Sequence, residues 1–194
     1  TGDVLSSASV MNPQILFGED LMSRVSYIMM HPEGAEAMTA AIQSALSKLF
    51  AELTEQLGET TDNILEISLV ANPIMHHLVL GINPINLGGA PFALTLDEAV
   101  TLKASDLGLN AHLQARLFVL PCIAGHVGAD AAAVALAERP DHGSGMTLVV
   151  DVGTNAEIIC GNKDRLLAAS SPTGPAFEGA QISSGQRAAP GAIE

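Results

Sequence analysis

The stretch that decides the fold is Thr147-Leu148-Val149-Val150-Asp151-Val152-Gly153-Thr154-Asn155. An aliphatic run with the bias of a β-strand carries a single carboxylate and then breaks at Gly-Thr-Asn, a turn-forming tripeptide. Two more short apolar runs follow at 156–160 and 165–169, separated by Gly161-Asn162-Lys163-Asp164. Turn-rich links between short apolar runs predict an antiparallel meander of three strands.

Desolvating an unpaired carboxylate is expensive, so Asp151 within an apolar strand is read as buried and placed for a purpose. Two readings stand. In one, Gly153 lets the backbone approach a phosphate, turn amides and the Thr154 hydroxyl donate to its oxygens, and Asp151 holds Mg²⁺ directly or through water. In the other, Asp151 accepts hydrogen bonds from its own turn and Gly-Thr-Asn is a hairpin link.

Working back from the meander, residues 138–145 collect Arg, Pro, Asp, His, Gly and Ser and read as a boundary between two lobes. Before it lie an apolar strand at 117–122, a turn at Gly125-His126-Val127-Gly128 and an alanine-rich helix at 129–137. The same order of strand, loop and helix occurs earlier: residues 63–71 as a strand buried on both faces, Asn72-Pro73 as a helix start, and a helix over 73–80. A Gly/Asn/Pro loop fills 81–91, and residues 96–107 follow neither period. Ligands gather beyond the carboxyl ends of parallel strands, so Asn72 and Gly125 are candidate cleft residues. Asn72 equally suits a helix cap, and Asp130 the first turn of the alanine-rich helix.

Further upstream, Leu21, Met22, Val25, Ile28 and Met29 recur at helical spacing after Gly18-Glu19-Asp20. Met38, Ile42, Leu46, Leu49, Leu53 and Leu57 form an amphipathic stripe that ends at Gly58, a C′ glycine. Residues 4–9 read as a short strand behind the turn composition Thr1-Gly2-Asp3. The chain opens without Met and stops after a Gly/Pro-rich run, so both ends read as cut from something longer.

Composition narrows the function. The 194 residues are 48% hydrophobic and 15% charged, enough apolar material for a packed core. A net charge of −13 repels a phosphate backbone or an anionic membrane, so neither nucleic acid nor membrane is an expected partner. The longest apolar runs fall short of the roughly 18–20 residues of a bilayer span. The two cysteines, Cys122 and Cys160, lie in apolar segments, as a cytoplasmic chain permits. With no CxxC pair they cannot ligate an iron–sulfur centre within this chain. His76 and His77 are neighbours, so on a helix they point apart, which favours a core role, or support of a site at one remove, over a metal pair. The loop 170–180 is dense in small residues around Phe177 and Glu178, and its Gly174 permits close ligand approach. The nucleophile elbow, the complete phosphate-binding loop of P-loop proteins and the HExxH zinc helix are absent, leaving a nucleotide cleft as the surviving hypothesis.

Several ordered blocks carry a resemblance. Asn12-Pro13-Gln14 with Gly18-Glu19-Asp20 comes first, then Asn72-Pro73-Ile74-Met75-His76-His77-Leu78 with Gly81-Ile82. Leu120-Pro121-Cys122-Ile123-Ala124-Gly125-His126-Val127-Gly128-Ala129-Asp130 follows, then Asp151-Val152-Gly153-Thr154-Asn155-Ala156-Glu157-Ile158. The last blocks are Gly174-Pro175-Ala176-Phe177-Glu178-Gly179-Ala180-Gln181-Ile182 and the run from Arg187 to Ile193. Together they resemble the C-terminal part of the ATP-dependent reductive activators of corrinoid proteins.

That resemblance implies an α/β fold: a two-lobed, actin-like ATPase module of the acetate and sugar kinase, heat-shock 70 and actin superfamily, here truncated. Residues 1–140 would form the first-lobe α/β subdomain without its first strands. Residues 141–194 would begin the second lobe with its phosphate-binding meander. It further implies that ATP hydrolysis with Mg²⁺ helps drive an uphill electron transfer, returning a Co(II) corrinoid protein of a methyltransferase system to Co(I). Electrons would come from an iron–sulfur domain outside this chain. Asp151, Gly153, Thr154 and Asn155 match the family's second phosphate motif, while Glu157 and Glu178 lie in matching blocks as further catalytic candidates. A cytoplasmic location and a homodimer fit the same picture. Because the first-lobe phosphate turn and the adenosine region fall outside residues 1–194, the isolated piece is expected to bind nucleotide poorly. Two other readings remain open, a small-molecule kinase of the same superfamily and a non-enzymatic interaction module.

Overall fold

The structure, a computed structural model, describes residues 2–153 and 155–172. It is a mixed α/β chain that divides into two units, Thr1–Asp130 and Ala131–Glu194.

In the first unit, α1 (Leu21–Met30) begins where its sequence signal places it. Asp20 accepts from the Ser23 amide at 2.7 Å, and the Ser23 hydroxyl accepts from the Asp20 amide at 3.0 Å, a reciprocal cap. The bond from the Ser23 amide holds the Asp20 carboxyl below the usual carboxylate range. The long helix α2 (Gly34–Gln56) stops at Leu57, and Gly58 follows with φ of +68°, as expected of a C′ glycine. Its predicted stripe is real but only Met38 of the six is fully buried; Ala45 and Thr54 are the other buried positions toward the C-terminal end.

Two clusters make the core of this unit. Met38 joins Val25, Ile28, Ile74, Leu78 and Leu87 in one, while Leu46 and Phe50 of α2 pack on Ala104, Leu109, Ala115, Leu117 and Val119 in the other. One helix therefore serves both, which is why it needs its length.

The sheet has the order β1-β3-β2: β1 (Glu66–Leu69) is parallel to β3 (Arg116–Val119), and β2 (Val100–Lys103) is antiparallel to β3. The expectation of a β1 buried on both faces fails, because it is a four-residue edge strand alternating between exposed and half-buried positions. β3, in the middle, buries Leu117 and Val119 completely. The predicted strand at 4–9 does not form: the segment has no regular secondary structure and is tied by the Ser6 hydroxyl to the Gln56 side chain. Among the described residues no edge pairs with it.

From the carboxyl end of β1 the chain enters α3 (Pro73–Val79), and from that of β3 it reaches α4 (Ala129–Glu138), the repeat read in the sequence. Short helices leave orphan carbonyls, and α2 covers those of α3: the Thr39 hydroxyl donates to the Leu78 carbonyl at 2.8 Å and the Gln43 amide to the Val79 carbonyl at 3.1 Å.

The second unit is the predicted meander, β4 (Thr147–Val152), β5 (Asn155–Asn162) and β6 (Arg165–Pro172), antiparallel in chain order. Ala156 and Ile159 of β5 are its buried side chains, as the central strand's should be. Among the described residues no helix is long and apolar enough to cross a membrane.

Candidate functional site

Asp151 does not sit where the sequence reading places it. It is exposed on β4, where five of the six residues are exposed and Val149 alone is half-buried. Among the described residues β4 pairs only with β5, so one of its flanks remains open and the desolvation argument for a buried carboxylate does not apply.

The register gives Asp151 a different significance. It stands directly opposite Glu157 on β5, and Glu157 stands opposite Ser170 on β6. Directly opposite residues of an antiparallel pair project from the same face, so these three form one polar row across the sheet. The neighbouring row on that face is Val149, Ile159 and Ala168, wholly aliphatic. Within the polar row, the Ser170 hydroxyl donates to Glu157 Oε1 at 3.2 Å and fixes one carboxylate. Two carboxylates opposite one another repel, a cost of a few tenths of a kcal/mol up to about 1 kcal/mol that a cation between them offsets.

The adjoining turn is closed by the Gly153 amide, which donates to the Asn155 carbonyl at 2.8 Å. Gly153 is absent from the left-handed region, and a β-carbon there would meet only that Asn155 carbonyl oxygen, at 3.4 Å. Packing among the described residues therefore makes little demand for glycine at 153, and what glycine offers is approach by something from outside. Asn155 opens β5 and is exposed. Thr154, Gly174 and Glu178 lie outside the described residues.

A second convergence lies beyond the carboxyl ends of β1 and β3. Asn72 caps α3, its Oδ1 accepting from the Met75 amide at 3.0 Å. The first two amides of α4, those of Ala129 and Asp130, donate to the Ala71 carbonyl at 2.9 and 3.3 Å. The loop after β1 and the entrance to α4 are thus in direct contact. Gly125 sits at the tip of a turn in which the Val127 amide donates to the Ala124 carbonyl at 3.0 Å. A side chain at 125 would collide with the Phe92 carbonyl oxygen, so here glycine has a packing reason.

Beneath these loops lie His76 and His77, both fully buried. The Thr95 amide donates to His77 Nε2 at 3.1 Å, so Nδ1 carries the proton and donates to the Pro73 carbonyl at 2.9 Å. Among the described residues neither His76 ring nitrogen has a hydrogen-bond partner. Burial pushes both imidazoles below their usual range; for His76 the neighbouring His77 adds to this and the Leu120 carbonyl opposes it. These are neutral core rings, in keeping with the reading that set them apart from a metal pair.

The residues present can be matched to the groups the resemblance implies. Asp151 and Glu157 offer hard oxygens, and Mg²⁺ is commonly held by one or two carboxylates with water and phosphate completing its shell. Among the described residues no group of three or more His, Cys, Asp or Glu side chains converges as metal ligands. An iron–sulfur cluster does not fit: Cys122 is buried with its thiol pushed up to about 11 by burial, and Cys160 is half-buried on β5 in the second unit.

Sequence reasoning missed Ser170, which counting register through both hairpins would have placed opposite Glu157. It also missed Phe92, whose importance is conformational and carries no periodic signal.

Comparison with known proteins finds family matches over most of the chain. Residues 1–142 match the profile of the RACo middle region, and residues 145–194 match the C-terminal domain of RACo, the ASKHA domain. The chain is 37% identical over 194 residues to the corrinoid activation enzyme RamQ of Eubacterium limosum, all of this chain and 32% of that protein. A [Co(II) methylated amine-specific corrinoid protein] reductase of Methanosarcina barkeri is 46% identical over 101 residues, 50% of this chain and 18% of that protein. Among solved structures, a reductive activator for a corrinoid, iron–sulfur protein superposes with a TM-score of 0.88 at 31% identity, covering 97% of this chain and 30% of the other. The chain thus spans about a third of the length of the first of these relatives.

Proposed function

This chain belongs to the RACo family of reductive activators of corrinoid proteins, and we propose that it contributes part of the nucleotide-dependent machinery of a longer protein that returns Co(II) corrinoid proteins to Co(I). The single observation that carries the reading is the row Asp151, Glu157 and Ser170 beside the Gly153 turn, within the segment that matches the ASKHA domain.

In this reading Asp151 holds Mg²⁺ directly or through water, and Glu157, fixed by Ser170, is its second acidic support. When bound with nucleotide, the ion neutralises charge on the phosphates. Gly153 leaves the turn open to a phosphate, and Thr154 and Asn155 supply donors to it. Glu178 and Gly174 are further candidates for the same role by the family resemblance, and Asn72 and Gly125 are the candidate nucleotide-binding residues of the loops beyond β1 and β3. ATP and Mg²⁺ are the cofactors of the parent protein, and an iron–sulfur cluster belongs to a part of it other than this chain. The partner is a corrinoid protein of a methyltransferase system, the location is the cytoplasm, and a homodimer is the expected assembly. The division into a first-lobe subdomain over 1–140 and a second-lobe start over 141–194 is part of the same proposal.

Residues 1–194 alone are expected to bind nucleotide weakly and to be inactive. The test is calorimetry with MgATP on the parent protein and on this chain, together with phosphate release from the parent in the presence of reductant and candidate corrinoid proteins. Corrinoid-dependent hydrolysis supports the proposal. Transfer of the γ-phosphate to a metabolite, or no nucleotide binding by the parent, contradicts it.

A further inference from the structure

The loop before β2 contains a residue whose conformation its sequence does not explain. Phe92 has φ of +57°, in the left-handed region that a bulky aromatic residue avoids. Such strain persists only where the surroundings enforce it. Three contacts do so here. The Phe92 carbonyl packs into the space that a side chain at Gly125 would need. The Phe92 ring meets the His126 ring edge to face, centroids 4.6 Å apart. Its own amide donates to the Gly89 carbonyl at 2.6 Å. Three residues further on, the Thr95 amide is held by buried His77, whose other nitrogen is bound to the first residue of α3.

We infer that residues 89–95 form a strap that positions the turn between β3 and α4, with Phe92 as its wedge against Gly125 and His126 and His77 as its anchor. The strands do not determine this turn. β3 ends at Val119, and the bonds closing the turn run from the Ile123 and Ala124 amides to the Val127 carbonyl and back from the Val127 amide. Phe92 supplies the external support, and it is 38% exposed, so the wedge is itself accessible. Because one strap contacts the turn at 92 and α3 at 95, loosening either end is felt at the other. A ligand arriving at the carboxyl end of β3 meets a turn shaped by Phe92, which makes Phe92 a positioning residue. That last statement rests on the proposed nucleotide role of the loops; the strap itself does not.

Hydrogen exchange of the parent protein measures the strap without any nucleotide. In Phe92→Ala the Ile123, Ala124 and Val127 amides exchange faster by a few-fold to about tenfold, the worth of an edge-to-face ring pair in an opening equilibrium. In Phe92→Tyr, which keeps the ring, their protection stays at the wild-type level. Gly125→Ala, which cannot coexist with the Phe92 carbonyl where it stands, exposes the Thr95 amide to faster exchange although Thr95 lies at the far end of the strap. Unchanged exchange at the turn in folded Phe92→Ala overturns the strap, as does equal loosening in Phe92→Tyr. MgATP kinetics on Phe92→Ala then separate the two claims: a raised KM with kcat little changed confirms the positioning role. Wild-type KM together with a loosened turn leaves the strap standing and removes the turn at Gly125 from the nucleotide site.

Discussion

Acidification should destabilise the first unit through two rings. His76 and His77 are completely buried and burial lowers both from an ordinary value of 6.5. In the unfolded chain both take up protons as the pH falls through 6.5; in the folded chain they resist. The unfolded state therefore binds more protons below pH 6.5, so stability is full above that value and falls as the pH drops toward the folded values. The loss between pH 7.5 and 5.5 is at most about 1.4 kcal/mol for one ring, the limit in which it stays neutral throughout in the folded state, and at most about 2.7 kcal/mol for two. The structure supplies the reason: a proton on His77 Nε2 would face the Thr95 amide that it now accepts from, and for His76 the Leu120 carbonyl offsets only part of the cost of burial. Asp20, whose carboxyl is lowered by its helix cap, acts only in the carboxylate range and does not mimic this window. Urea unfolding at pH 7.5, 6.5 and 5.5 gives the slope, followed by the fluorescence of Tyr27, the sole tyrosine in a chain without tryptophan. His77→Phe should halve the slope. If wild type loses no more stability over this range than a variant lacking both histidines, the reasoning is wrong.

Other perturbations separate structural from functional residues. Gly125→Ala should lower stability by about 1–3 kcal/mol, the cost of overpacking against a backbone oxygen, whereas Gly153→Ala should change it by less than about 0.5 kcal/mol. Thermal melts read both, and equal losses would erase the distinction between the two glycines. Asn72→Ala removes the cap of α3 and should cost about 1 kcal/mol in urea titrations; no loss would show that the cap bond contributes nothing. Met38→Ala, in the first cluster and fully buried, should cost about 2–5 kcal/mol by the same measurement, and a loss under 1 kcal/mol would show that the cluster collapses around it.

Much of the architecture was legible in residue patterns because local chemistry dictates it. Asp20 and Gly58 bracket their helices through a side-chain acceptor and a positive φ, both visible as residue types. The meander followed from three turn-rich breaks, and the two strand–loop–helix repeats from Asn72-Pro73 and the glycines at 125 and 128. Burial was less legible, since it depends on what lies beside a strand. Apolar neighbours suggest burial for Asp151 and for residues 63–71, yet Asp151 and the strand formed within 63–71 lie on strands paired on one side only among the described residues. Residues 4–9 have strand composition, and composition cannot say whether an edge adjoins them. At the candidate site the residue types of Asp151, Gly153, Asn155 and Glu157 mark them as candidates in the sequence alone, whereas Ser170 joins them only through register, and Phe92 stands out only through backbone geometry.

If the Asp151 turn serves ATP turnover that drives corrinoid reduction in the parent protein, its loss is visible at the cobalt. The most direct measurement is the cobalt absorbance of a Co(II) corrinoid protein mixed with reductant, MgATP and the parent protein, as wild type or Asp151→Asn. Wild type should form Co(I) in a manner that depends on hydrolysable ATP, and the variant should lose at least tenfold while its circular dichroism is unchanged. Co(I) formation at the wild-type rate by Asp151→Asn, or equally well without ATP, would contradict it.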